Sequence, residues 1–173
     1  SGHSSIPVDV DFHPQGQFFA IAGFDGGIRI GDAAQNKIIS DWRGHDKPIF
    51  VARFNPTGEL LVSAGEDNTA RLWQRGKKDP LLIYQGHNNT VKDAVFSADS
   101  KTIASGDYDG QVHVWSAKTG ERITDEVTFS SIILRLLIHP TEDLMLVAMT
   151  DDLVQLYSPS LQTRRPLAHP NGF

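Results

Sequence analysis

The hydrophobic positions of this chain fall in short runs broken by turn residues. "PIFVARF" at 48–54, "LLVSAG" at 60–65 and "TARLWQ" at 69–74 are rich in β-branched and aromatic residues, the make-up of strands. "NPTG" separates the first run from the second and "GEDN" the second from the third, both turn-forming sequences. A weaker fourth run, "LLIYQ" at 81–85, follows the polar turn "RGKKD". Nowhere do apolar residues keep a helical face over eleven or more positions, so the pattern predicts strands alone.

The same pattern recurs at a constant period. Asp25, Asp67, Asp109 and Asp151 stand 42 residues apart. Gly2-His3, Gly44-His45 and Gly86-His87 keep that step, and the fourth slot holds Thr128-Phe129. Phe12, Phe54, Phe96 and Ile138 keep it as well, in "VDFHPQG", "ARFNPTG", "AVFSADS" and "LLIHPTE". Four copies without an insertion or deletion between these landmarks define a repeat architecture. Four short antiparallel strands per copy, with a Gly-His opening and an Asp six residues before a Trp, are the signature of a propeller blade. The copies predict blades over about 2–43, 44–85, 86–127 and 128–169, with 170–173 as the start of another blade or a tail.

On these residues the chain resembles the WD40 repeat family over essentially its whole length. The second and third copies keep the pattern from Gly-His to Trp. The first carries Ile21 and Gly31 at the Ser and Trp positions, and the fourth carries Phe129, Val147 and Tyr157. No Trp-Asp pair occurs; the corresponding dipeptides are Gly31-Asp32, Trp73-Gln74, Trp115-Ser116 and Tyr157-Ser158. The expected fold is all-β, a WD40-type propeller or a segment of one.

His87, Ser105 and Asp109 are also the residue types of a hydrolase triad, but His45, Ser63, Asp67 and Trp73 repeat the set of His87, Ser105, Asp109 and Trp115. A catalytic site is built once, and a Ser nucleophile needs an exposed elbow such as G-x-S-x-G, whereas "LVSAG" and "IASGD" read as strand. The resemblance implies structural tetrads, in which Asp bonds the imidazole, imidazole and Ser connect onward, and the indole N–H closes the network. Each bond contributes about 0.5–1.5 kcal/mol net. Burying an indole adds roughly 4–6 kcal/mol per intact blade.

The family analogy also places a partner-binding face on the Gly-His turns and the turns between second and third strands. It points to Phe24, Pro48, Phe50, Glu66, Thr90, Lys92, Tyr108 and Leu134, with Ile6, Val8, Ile132 and Thr150 in the remaining slots. Phe50 and Tyr108 are the preferred pair, because exposed aromatics mark interfaces; the competing reading is packing between neighbouring blades.

Composition narrows the rest. A net charge of −5 disfavours nucleic acid and acidic membrane as partners, and the basic turn of Arg75, Lys77 and Lys78 reads as solvated surface. The absence of cysteine excludes disulfides and thiolate chemistry. His13 and His139 lack convergent ligands and read as exposed turn histidines rather than a metal site. No cofactor is expected. Without a signal-peptide pattern or a membrane-spanning run, the expected location is intracellular, cytoplasm or nucleus.

The leading function is therefore a non-enzymatic scaffold for proteins or peptides, a subunit of a larger intracellular complex. Recognition of RNA or modified peptides is the alternative, and a Ser/His/Asp hydrolase a distant third. Rings of this family usually close with about seven blades, so the missing ones are expected from a longer chain or, less favoured, from a second copy or a different chain.

Overall fold

The computed structural model describes residues 5–151, 153–160 and 163–167. They form sixteen strands in four four-stranded sheets, without a helix among them. The first sheet contains β1 (Pro7–Phe12), β2 (Phe18–Gly23), β3 (Gly27–Asp32) and β4 (Lys37–Arg43). The second contains β5 (Ile49–Phe54), β6 (Leu60–Gly65), β7 (Ala70–Gln74) and β8 (Leu82–Tyr84). The third contains β9 (Val91–Phe96), β10 (Thr102–Asp107), β11 (Gln111–Ser116) and β12 (Val127–Thr128). The fourth contains β13 (Ile133–Ile138), β14 (Met145–Met149), β15 (Val154–Ser158) and β16 (Thr163–Pro166). Each is an antiparallel meander paired in sequence order. The fold is thus an all-β, propeller-type array, and the expected boundary at 127 falls inside β12.

The hairpin turns follow from their residues. Gly26 (φ 78°), Asn68 (φ 64°) and Gly110 (φ 78°) occupy equivalent positions in the turns between second and third strands, where only Gly or Asn sits comfortably in the left-handed region.

The core lies between sheets rather than within one. Ala20, Ile28 and Ile30 pack on Ile49, Phe54 and Trp73; Val62 and Leu72 pack on Phe96 and Trp115; Val112 and Val114 pack on Ile133, Met145 and Tyr157. The first strands line up in sequence, β1 beside β5, β5 beside β9 and β9 beside β13.

Those neighbouring first strands are not hydrogen-bonded as a sheet, so their exposed N–H groups need other partners. Asp9 accepts from Ala52 N–H at 3.2 Å and Asp11 from Phe54 N–H at 2.8 Å. Asp93 accepts from Leu136 N–H at 2.6 Å. Arg53 donates to the Ala94 carbonyl at 3.3 Å and pairs with Asp93 at 2.6 Å. Burial raises the Asp93 carboxyl above the usual carboxylate range even with Arg53 beside it, and burial likewise raises Asp11. These inter-blade carboxylates are a feature the sequence pattern does not single out.

His13 corrects an expectation. It is 3 % exposed rather than a solvated turn residue, held edge-on between Phe18 at 5.6 Å and Phe54 at 5.3 Å. The next blade covers it, whereas His139, its equivalent, is exposed.

Candidate functional site: tetrads and loop face

In the second blade the four expected side chains meet. His45 Nδ1 lies 2.9 and 3.0 Å from the Asp67 carboxylate oxygens, and its Nε2 lies 2.7 Å from Ser63 Oγ. Trp73 donates its indole N–H to the same Oγ at 2.8 Å. Arg71, four residues beyond Asp67 across the tight turn, donates to that carboxylate at 2.8 Å. The contacts with His45, Thr69 and Arg71 outweigh burial and hold Asp67 far below the usual carboxylate range. Burial lowers His45 below the ordinary histidine value, against the pull of Asp67. Imidazole is therefore neutral at physiological pH, with Asp67 fixing its tautomer.

The third blade differs at one position. His87 Nδ1 bonds Asp107 at 2.7 Å, not Asp109. Asp109 points outward and accepts from Asn89 at 2.8 Å. The reason lies two residues earlier. Position 107 corresponds to Gly65 in the second blade, where a Cβ would stand 3.4 Å from His45 Nδ1; a carboxylate on that site reaches the imidazole directly. The arginine of the other turn is missing too, since His113 stands where Arg71 does and Asp109 has no guanidinium to fix it. Ser105 Oγ keeps its bonds to His87 at 2.7 Å and Trp115 at 3.1 Å.

His113 enlarges this network. Its ring stacks on His87 at 4.1 Å, and its Nδ1 lies 3.0 Å from the Tyr84 hydroxyl. Tyr84 in turn stacks on Trp115 at 4.9 Å. Burial first, then the neighbouring His87 and Arg122, lowers the His113 pKa to about 4. Ser63 and Ser105 are 0 % exposed and already engaged by imidazole and indole, so neither hydroxyl is open to a substrate. Among the described residues no group of three or more His, Cys, Asp or Glu could hold a metal ion.

The loop face is built by a repeated backbone device. The pairing of first and second strand slips by one residue at Val8, Phe50, Lys92 and Leu134. These residues are therefore bulges, and a bulge re-aims its side chain. The residue after each second strand is tied back to the loop before the first: Phe24 N–H to Ile6, Glu66 to Pro48, Tyr108 to Thr90 and Thr150 to Ile132. The three slots of each blade are thereby joined. Nothing in the hydrophobic pattern announces the slip, although its period of 42 could have been sought.

Across the second and third blades the slots converge. Phe50 stacks with Tyr108 at 6.4 Å and 27°, and the Lys92 ammonium lies 4.2 Å above the Phe50 ring. Glu66 stands 3.9 Å from Lys47. Phe24 is 54 % and Leu134 42 % exposed. Both lie in other blades than the Phe50 stack. Pro48 is half-buried. Thr90 corrects its assignment: it is buried, its N–H taken by the Asn89 side chain and its carbonyl by Tyr108.

The sequence profile of the WD40 family (WD domain, G-beta repeat) matches residues 1–32, 36–74 and 78–116. No curated protein matches the chain. Among the described residues no helix is long and apolar enough to cross a membrane.

Proposed function

Because this chain belongs to the WD40 repeat family, whose domains are generally non-enzymatic and bind other proteins, we propose that it is a scaffold subunit that captures a protein segment on its loop face. Phe50, Lys92 and Tyr108 are the centre of that surface. The observation that carries the reading is the stacked Phe50–Tyr108 pair with Lys92 over it, assembled from two blades by a backbone bulge. Aromatic rings with a nearby cation suit a segment pairing an apolar anchor with a carboxylate. The buried tetrads beneath keep the bulged strands in place.

The test selects binding peptides from a random displayed library against the chain and measures them against Tyr108→Ala and Phe50→Ala. Loss of about tenfold or more in affinity, with thermal unfolding unchanged, supports the reading. Selected peptides that bind both variants as well as the parent refute it.

A further inference from the structure

Towards the end of the strands away from the loop face, the junctions between blades are not packed alike. At the second junction the space beside the turn between third and fourth strands is filled: Leu60, Leu82 and Ala117 pack on the core residues Leu72 and Tyr84. One period earlier, at the first junction, Ser40 stands where Leu82 does and Trp42 where Tyr84 does. With the shorter serine there, a groove of about 270 Å³ stays open, walled by Phe18, Ile30, Ile39 and Trp42 and bordered by Arg75. Ile39 is 50 % exposed. It sits in a bulge where β4 slips by one residue against β3, which re-aims its side chain.

Two polar features accompany this apolar wall. The indole N–H of Trp42 is buried without an acceptor. Tyr84, at the same position of the next blade, meets His113 Nδ1 at 3.0 Å. In the second blade the place of His113 is held by Arg71, which has only donors to offer and is bound to Asp67. The orphaned indole therefore follows from the residues at these two positions. The second feature is charge. The Arg75 guanidinium lies 5.1 Å from the centre of the Phe18 ring and begins the turn that carries Lys77 and Lys78. Among the described residues none of these three cations is paired with a carboxylate, whereas Arg29, Arg53 and Arg71 all are. Lys78 donates to the backbone carbonyl of Asp41 at 3.4 Å, and the Asp41 carboxylate is held by Arg29 at 3.3 Å. Asp79, the acid of the same turn, is exposed.

We propose that this groove is a second docking site and takes an acidic peptide segment. One apolar side chain of the segment fills the space over Ile30, Ile39 and Trp42. A carbonyl or carboxylate oxygen accepts from the Trp42 indole, and flanking carboxylates meet Arg75 and Lys77. The volume falls just short of the ~300 Å³ at which small-molecule pockets begin, which suits a side chain rather than a cofactor. Nucleic acid would match the charge but brings no apolar anchor for the wall. At the third junction the corresponding groove carries Asp125 and Asp143 instead, so the match to an acidic partner belongs to the first junction. The site lies at the opposite end of the blades from the Phe50–Tyr108 pair and does not rest on the reading of that face.

Two displayed peptide pools test this, one mixing apolar residues with Asp and Glu, the other with Lys and Arg. Both are panned against the Tyr108→Ala chain, whose loop-face aromatic pair is broken, so that binders report on the groove. The chain has three tryptophans, and Trp42→Phe identifies the Trp42 indole signal in nitrogen-edited NMR spectra. The acidic pool is expected to yield binders that move this signal and leave those of Trp73 and Trp115, which Ser63 and Ser105 hold. Arg75→Glu, at an exposed turn position, should weaken them about tenfold or more. Ser40→Leu refills the groove as Leu82 does and should weaken them equally, with thermal unfolding unchanged or raised. An acidic pool without binders, binders that leave the Trp42 signal unmoved, or an affinity indifferent to either substitution would each overturn the proposal. So would an RNA pool bound in place of the peptides.

Discussion

Acid should destabilise this protein in a window set by its buried histidines, and His113 supplies the magnitude. Its side chain is fully buried on β11, stacked on His87, with Tyr84 at Nδ1 and the Glu126 carboxylate no nearer than 3.7 Å to Nε2. In the folded chain it takes a proton only near pH 4, against 6.5 when unfolded. Between those values the unfolded state binds more protons, so stability falls as pH falls. Every tenfold drop in proton affinity on folding is worth about 1.4 kcal/mol, giving a loss on the order of 3 kcal/mol across the full window. About 2 kcal/mol of it is gone by pH 5. His45, also lowered, acts in the same direction. Asp11 and Asp93, with raised carboxyl pKa values, act oppositely towards the lower end, so pH 6.5 to 5 is the range to read. The assay is urea denaturation of the parent and His113→Gln at pH 7.5, 6.5, 5.5 and 5. Glutamine keeps an acceptor for Tyr84 but cannot titrate. The stability difference between the two proteins should move by about 2 kcal/mol in favour of the variant as the pH drops. A difference constant to within about 0.5 kcal/mol over that range would show that His113 is not the titrating group.

The remaining expectations concern packing. Ser63→Ala leaves the Trp73 N–H without its acceptor and His45 Nε2 without its donor and should cost about 2–4 kcal/mol, read as a lowered urea midpoint; a cost under about 0.5 kcal/mol would count against a closed network. Asp107→Asn should cost on the order of 2 kcal/mol while Asp109→Asn stays within about 0.5, and the reverse order would restore Asp109 to the third tetrad. Arg53→Met strands Asp93 between two blades and should cost about 3–5 kcal/mol, with a double mutant including Asp93→Asn costing less than the sum of the single changes. Additive losses would mean that the two charges are not coupled.

The four-strand meander was legible because its period is carried by residues that cannot change cheaply: the Asp and Gly or Asn of the second turn, the apolar middle strands, and Trp73 and Trp115. What escaped the sequence depends on register across space. Asp107 and Asp109 sit two residues apart in the same turn, and only the outward course of Asp109 shows which one reaches His87. Asp9 and Asp11 look like the polar half of an alternating strand, yet they cap Ala52 and Phe54 of the next blade. His13 reads as a turn residue until Gly58 is placed against it.

The outer blades show what the tetrad is for. In the first blade the Ser and Trp positions are replaced, and in the fourth the His, Ser and Trp positions together. In the first blade Gly31 stands at the Trp position, and the Phe19 ring lies against it so closely that a Cβ there would be 2.0 Å from the ring. A second-strand side chain thus takes over the volume, while Arg29 and Asp25 keep the turn pair. In the fourth blade, Phe129, Val147 and Tyr157 stand at the His, Ser and Trp positions. Phe129 packs edge-on to Tyr157 at 5.9 Å, with Arg164 4.6 Å above it. A polar network in a low-dielectric interior is favourable only when every member is satisfied, so loss of the imidazole removes the reason for the serine. The Tyr157 hydroxyl, buried with no hydrogen-bond partner among the described residues, is the remaining polar cost of that exchange. Tyr157→Phe should therefore be neutral or stabilising in urea denaturation, whereas Trp115→Phe, which strips Ser105 of its indole donor and shrinks the ring, should cost about 2 kcal/mol or more. Equal losses from the two substitutions would mean that the Tyr157 hydroxyl has a partner and the fourth blade keeps a polar network after all.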